Sequence, residues 1–265
     1  MTPTLWFVHG WGFDASVCHR LADALAGSLT DASIDPMPLG PQRRYDAGYV
    51  GASLLAPPSE PFIAIAHSFG MMRVLKDLPA HCVGIICLNG FARFSAAPDF
   101  AAGTPLRLID RMLQRLRQDP MGVVNTFRAR CGAEPYPVTT ELDVDALFAD
   151  LSALRDDDAR AALAACPVPI VVVAAEDDPI VPPAMTAMTF ADQGAMQVAM
   201  LADGGHVLPL TRPDDCADAV RRLVQSLPAG QLAALNGPAS SPNASANRSQ
   251  NVVIVNDMAP PASAP

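Results

Sequence analysis

Short apolar runs alternate along this chain with stretches of helical spacing. Leu5-Trp6-Phe7-Val8, Phe62-Ile63-Ala64-Ile65-Ala66, Cys82-Val83-Gly84-Ile85-Ile86-Cys87-Leu88 and Ile170-Val171-Val172-Val173 are apolar or small at every position and rich in β-branched residues. Such runs read as strands buried on both faces, and with helices between them they indicate a mostly parallel sheet. The spacing of Val17, Leu21, Leu25 and Leu29 predicts a helix over residues 15–29. Further expectations are a second strand over 33–39, a loop over 41–49, a short helix over 51–55, and a helix from the end of the 62–66 run to about residue 78. Residues 182–190 read as a helix, 197–201 as a last strand, and 213–227 as a final helix with Cys216, Val220, Leu223 and Val224 on one face.

Between residues 91 and 165 the rhythm is helical and no convincing strand interrupts it. Pro167-Val168-Pro169 marks the return to sheet-forming sequence, so this stretch reads as a helical cap inserted into an α/β core made of residues 1–90 and 166–227. Residues 228–265 are rich in Ala, Pro, Ser and Asn and read as a low-complexity tail, with Val252-Val253-Ile254-Val255 as an isolated apolar piece.

The 62–66 run ends in Ala66-His67-Ser68-Phe69-Gly70, after which a helical pattern begins. This resembles the nucleophile elbow, a strand–turn–helix in which residues two before and two after a serine must be nearly free of side chain. Ala66 and Gly70 meet that requirement. A serine nucleophile needs a base to take its proton and an acid to orient the base. After the 170–173 strand the chain reads Ala174-Ala175-Glu176-Asp177-Asp178-Pro179-Ile180-Val181-Pro182, and after the last strand Ala202-Asp203-Gly204-Gly205-His206. Ser68, Asp178 and His206 are the candidate catalytic residues. Asp177 is a rival for the acid, and Glu176 a weaker one. His67 is expected to pack rather than to act as base, because side chains of adjacent residues on such a turn diverge.

The strand at residues 5–8 leads into His9-Gly10-Trp11-Gly12. Its backbone turns at the carboxyl end of a strand, where open α/β sheets bind ligands. The amides of Trp11 and Phe69 are the candidate oxyanion donors. The side chains of Trp11, Phe69, Met71 and Phe91 are expected to wall the substrate site; a plain core role for Trp11 stays open.

With these residues the chain resembles the α/β-hydrolase superfamily over roughly residues 5–227. Within it, His9-Gly10-Trp11-Gly12, the serine elbow, Phe94-Ser95-Ala96, Asp178-Pro179-Ile180-Val181-Pro182 and the Gly-His turn resemble the esterases of biotin synthesis that cleave pimeloyl-acyl-carrier-protein methyl ester. The resemblance implies an α/β-hydrolase fold, a mostly parallel sheet with helices on both faces and a helical cap. It also implies a cofactor-free carboxylic ester hydrolase acting on an acyl chain held by a carrier protein. A broad short-chain carboxylesterase and a catalytically silent binding protein on the same scaffold are the alternatives. The chain departs from the pattern in starting directly at the first parallel strand, in Ala66 at the first elbow glycine, and in Met71 where a second glycine often follows.

Charge and composition narrow the partners. A net charge of −9 over 265 residues argues against nucleic acid as the main partner. No apolar run reaches membrane-spanning length, and the first residues carry no basic stretch or cleavage signature. A cytoplasmic monomer with no metal and no membrane contact is therefore the expectation. The six cysteines form no C-x-x-C pair and read as small buried hydrophobes. Arg107, Arg111 and Arg115 recur every fourth residue along the cap, with Arg117, Arg128 and Arg130 nearby. Such a stripe on an acidic protein suits an acidic carrier protein; a solvated helix face paired with Asp110 and Asp119 explains it equally.

Overall fold

In a computed structural model that describes residues 4–27, 42–191 and 198–228, the apolar runs become the interior of one sheet. Its strands are β1 (Thr4–Val8), β2 (Gln42–Arg44), β3 (Phe62–His67), β4 (Cys82–Leu88), β5 (Ile170–Ala175) and β6 (Ala199–Leu201). They run in the order β2-β1-β3-β4-β5-β6, every neighbouring pair parallel. Every residue of β1, β3 and β5 is buried, as continuous apolar runs require when helices cover both faces. The chain leaves β1 toward β2 on one side, while β3 lies on the other. The crevice above the carboxyl ends of β1 and β3 is therefore the switch point at which such sheets bind ligands.

A 3₁₀ turn (Ala15–Cys18), started by Asp14 accepting the Ser16 N–H at 2.7 Å, leads into α1 (His19–Gly27). Val17, Leu21 and Leu25 form its buried stripe. The helix after β3 is α2 (Phe69–Lys76), which lies against β1 and β3. Between β4 and β5 come α3 (Leu106–Leu116), α4 (Pro120–Arg130), α5 (Val144–Asp156) and α6 (Arg160–Ala164). Of these, α3 packs on both α4 and α5, and only isolated bridges occur among residues 91–165. The chain closes with α7 (Pro183–Phe190), α8 (Leu208–Thr211) and α9 (Pro213–Ser226), the last packed on α1, β4 and β5.

Two expectations are corrected. The predicted loop over 41–49 contains β2, a polar edge strand paired with β1 through Leu5, Trp6 and Phe7. Gln42-Arg43-Arg44 has no apolar alternation to announce it; the neighbouring strand recruits its backbone. The predicted helix over 51–55 does not form: Asp46 and Leu54 instead exchange backbone hydrogen bonds of 2.8 and 2.9 Å in an antiparallel bridge. Residues 51–57 are exposed, so an amphipathic helix there would have had nothing to pack on. The strand expected over 33–39, Leu29, Gln197 and the tail beyond Pro228 lie outside the described residues. All six cysteines are buried, and burial pushes the Cys18, Cys82 and Cys87 thiols up to about 12.

Candidate active site

Ser68 sits where β3 stops and α2 begins, with φ 55° and ψ −124°, a conformation non-glycine residues rarely adopt. Such strain costs on the order of 1–3 kcal/mol and persists only where the surroundings dictate it. Here the Ser68 N–H continues the ladder to the Leu88 carbonyl at 3.0 Å, and the Ser68 carbonyl accepts the Met71 N–H at 3.0 Å. A Cβ at position 70 would lie 2.3 Å from the Val8 carbonyl oxygen, so the turn tolerates only glycine there.

The three loops converge. Ser68 Oγ lies 3.0 Å from His206 Nε2, and His206 Nδ1 lies 2.8 Å from Asp178 Oδ2. All three residues are buried. The other Asp178 oxygen accepts the Ile180 and Val181 amides at 2.7 and 2.9 Å, which orients the carboxylate through the Asp-Pro-Ile-Val turn. Asp177 is not at the imidazole. Its Oδ1 accepts the Gly205 N–H at 2.8 Å and so ties down the histidine loop. That loop turns on Gly204 and Gly205, both at positive φ.

Residues that sequence reasoning left aside hold this loop from below. Asn89, itself at φ 47°, donates from Nδ2 to the Gly205 and His206 carbonyls at 2.8 and 3.1 Å, and its Oδ1 accepts the Ala175 N–H at 3.0 Å. His67 Nε2 lies 2.9 Å from the His206 carbonyl. Burial, reinforced by the neighbouring His206, pulls the His67 pKa down to about 3, so its ring is neutral and donates from Nε2. The only signal in the sequence was the Asn-Gly after β4 and a histidine beside the serine.

The loop after β1 passes against the nucleophile. A Cβ on Gly10 would lie 2.7 Å from Ser68 Cβ. His9 Nε2 accepts the Ala47 N–H at 3.0 Å, which leaves its proton on Nδ1, and Nδ1 donates to the Gly10 carbonyl at 2.8 Å. That carbonyl and the Trp11 N–H belong to one trans peptide, so the amide points away from the His9 ring. Phe69 is the first residue of α2, where amides have no partner within the helix. The cap grips the same loop: Trp11 Nε1 donates to the Leu147 carbonyl of α5 at 2.9 Å, and Arg128 of α4 donates to the Gly12 carbonyl at 3.1 Å.

Above Ser68 lies a cavity of about 280 Å³, walled by Trp11, Phe91, Phe94, Met112, Phe127 and Met185 among others. Two expected wall residues are corrected. The Phe69 side chain lies 4.7 Å beneath the Arg73 guanidinium and lines a separate hollow of about 480 Å³ that Ser68 does not line. Met71 is fully buried, its Cβ packed where Gly90 leaves room. On a helix that leaves the elbow steeply, the residues after the serine turn their side chains into the core or away from the cleft.

Arg107, Arg111 and Arg115 are exposed on α3. Arg115 pairs with Asp119 at 3.8 Å, and Asp110 pairs with Arg155 of α5 at 2.5 Å. Among the described residues no carboxylate pairs with Arg107 or Arg111. Leu108, between them, is both exposed and part of the cavity wall, so this basic segment borders the cavity mouth. Arg117 stacks at 4.0 Å on the Phe148 ring, and Arg128 at 3.8 Å on that of Tyr136. Among the described residues no cluster of three or more His, Cys, Asp or Glu could hold a metal ion, and no helix is long and apolar enough to cross a membrane.

Comparisons with known proteins bear on the family and the fold. A family model described as the alpha/beta hydrolase family matches residues 7–219. The chain is 24% identical over 241 residues to the biotin biosynthesis bifunctional protein BioHC of Cellvibrio japonicus (strain Ueda107), covering 85% of this chain and 48% of that protein. The chain thus spans about half the length of the curated relative it matches. Among solved structures, an esterase (EaEST) from Exiguobacterium antarcticum superposes with a TM-score of 0.68 at 14% identity, covering 84% of this chain and 92% of that one. A bromoperoxidase from Bacillus anthracis superposes with a TM-score of 0.67 at 14% identity, covering 85% and 93%. At that identity the likeness shows the fold, and the same scaffold carries more than one reaction.

Proposed function

The chain belongs to the alpha/beta hydrolase family, and from that premise we propose that it is a cofactor-free serine carboxylic ester hydrolase. The observation that carries the reading is the continuous relay from Ser68 Oγ through His206 to Asp178, at 3.0 and 2.8 Å. Ser68 Oγ attacks the ester carbonyl while His206 Nε2 takes its proton, and Asp178 steadies the imidazolium that results. The carbonyl oxygen, now negative, is received by the amides of Trp11 and Phe69. His206 returns the proton to the departing alkoxide, leaving an acyl-enzyme. A water molecule, deprotonated by the same imidazole, then releases the acid and restores Ser68.

The substrate we propose is the methyl ester of a pimeloyl-type acyl chain carried by an acyl carrier protein, as in biotin precursor synthesis. Two features support it. The matched relative carries biotin biosynthesis in its name. In addition, Arg107 and Arg111 flank Leu108 at the cavity mouth without a carboxylate partner among the described residues, a surface suited to an acidic carrier. The cavity volume, at the small end of the range for ligand sites, favours a second reading, a short-chain carboxylesterase. Parallel hydrolysis of methyl pimeloyl-carrier protein and a simple butyrate ester separates the two. A kcat/KM at least about a hundredfold higher for the carrier-bound ester supports the first reading; the reverse order supports the second.

A further inference from the structure

Arg130 is the one charged side chain among the residues lining the cavity above Ser68. It closes α4 and donates from Nη2 to the Pro179 carbonyl at 2.9 Å, one residue from the acid of the relay. That bond uses one of five N–H donors and holds the guanidinium against the wall. Among the described residues no carboxylate forms an ion pair with it. Asp178, the nearest acid in sequence to its anchor, is fully engaged by His206 and two backbone amides. Its neighbour Arg128 is turned toward Gly12, Glu134 and Tyr136 and serves the oxyanion loop instead. Otherwise the wall is apolar or aromatic, apart from Ser68 and Thr104.

Arg130 is exposed at the rim of the cavity that Ser68 also lines, and the donors its Pro179 bond leaves free are available to an anionic group on a bound substrate. We propose that Arg130 is a specificity-determining residue that binds an oxyanion on the substrate, separated from the reacting ester by a spacer. The inference rests on the ester-hydrolase reading of Ser68. The ester lies at Ser68, the spacer along the aromatic wall, and a carboxylate or phosphate group at Arg130. This contact is distinct from the Arg107 and Arg111 surface: Arg130 lines the cavity itself, whereas those two do not and would meet a carrier protein rather than the acyl chain or its arm.

Two chemistries could supply the oxyanion: the free carboxylate of a dicarboxylic half-ester, or the phosphate of a pantetheine-type arm. Two matched substrate pairs separate them. The first is the monomethyl ester of pimelic acid against the same ester with its far carboxylate replaced by a carboxamide. The second is methyl pimeloyl pantetheine with and without its 4′-phosphate. The quantity read is the ratio of kcat/KM, charged over neutral, so that any general loss from altered packing cancels.

Wild-type enzyme is expected to favour the charged member of one pair by about tenfold, the scale of one charge-assisted hydrogen bond. Arg130→Gln brings that ratio to near one, and Arg130→Glu inverts it. The responding pair identifies the source. Ratios near one for both pairs in wild type would overturn the inference, and so would a preference that survives in Arg130→Gln, since a merely structural clasp on Pro179 lowers both members alike. Should wild type hydrolyse none of the four esters, the ester-hydrolase reading falls and takes the inference with it; hydrolysis without charge preference removes the inference alone.

Discussion

His67, the last residue of β3, donates its Nε2–H to the carbonyl oxygen of His206 over 2.9 Å and so holds the catalytic histidine's loop from beneath. The other His67 nitrogen, Nδ1, is buried without a partner, and burial together with the nearby His206 holds the pKa near 3 against an ordinary 6.5. The folded protein therefore resists protonating a group that the unfolded chain protonates readily. Stability from this residue is complete above about pH 6.5 and is lost as pH falls toward 3.

In that window the free-energy difference between wild type and His67→Gln, which cannot titrate, is expected to fall by about 1.4 kcal/mol per pH unit. Urea unfolding of both proteins at pH 7, 6 and 5 checks this. A difference independent of pH would show that His67 is not neutral in the fold.

His9 acts on the oxyanion site through the peptide between Gly10 and Trp11. His9→Ala frees the Gly10 carbonyl, and the Trp11 amide loses its fixed aim without losing its place in the chain. Removing an oxyanion donor outright costs about a hundred- to a thousandfold in rate. A misdirected donor is expected to cost about ten- to a hundredfold in kcat, with KM for a small ester changed by less than about twofold. Steady-state kinetics decide it; a loss carried by KM would place His9 in substrate binding instead.

The elbow tolerates little. Gly70→Ala puts a methyl group 2.3 Å from the Val8 carbonyl oxygen, a backbone atom at the carboxyl end of β1 that cannot yield cheaply. The expected cost is about 2–4 kcal/mol of stability with kcat reduced as Ser68 shifts. Denaturant titration beside Ser68→Ala, which removes the hydroxyl and leaves the turn, separates backbone displacement from loss of the nucleophile.

For the carrier surface, the double variant Arg107→Glu/Arg111→Glu is expected to lower the ratio of kcat/KM for carrier-bound over free methyl ester by at least about tenfold, and salt should produce the same trend in wild type. Stopped assays at low and high ionic strength check both. A ratio indifferent to charge and salt would remove the patch from substrate recognition.

Much of this site is legible in the sequence. Ser68, Asp178 and His206 stood out because an elbow demands small residues at fixed offsets and because each loop followed an apolar run, and both are local properties. The strands β1, β3, β4 and β5 were legible for the same reason: full burial leaves no polar position to blur the run. What escaped is held through space. Asn89 grips a loop more than a hundred residues away, and His9 works through an amide at position 47. Side-chain direction also escaped. Phe69 and Met71 are adjacent to the nucleophile in sequence or nearly so, yet α2 turns one beneath Arg73 and the other into the core. The edge strand Gln42–Arg44 is set by its neighbour's free backbone, which no residue of its own reports.

Labelling with a fluorophosphonate, read by peptide mass, tests the chemistry at its root. If the imidazole of His206 draws the proton from Ser68, the wild-type protein takes up one equivalent on the Ser68 peptide. Ser68→Ala then takes up none, and His206→Gln reacts at least about a hundredfold more slowly. Equal labelling of wild type and His206→Gln, or uptake at a residue other than Ser68, would contradict the account.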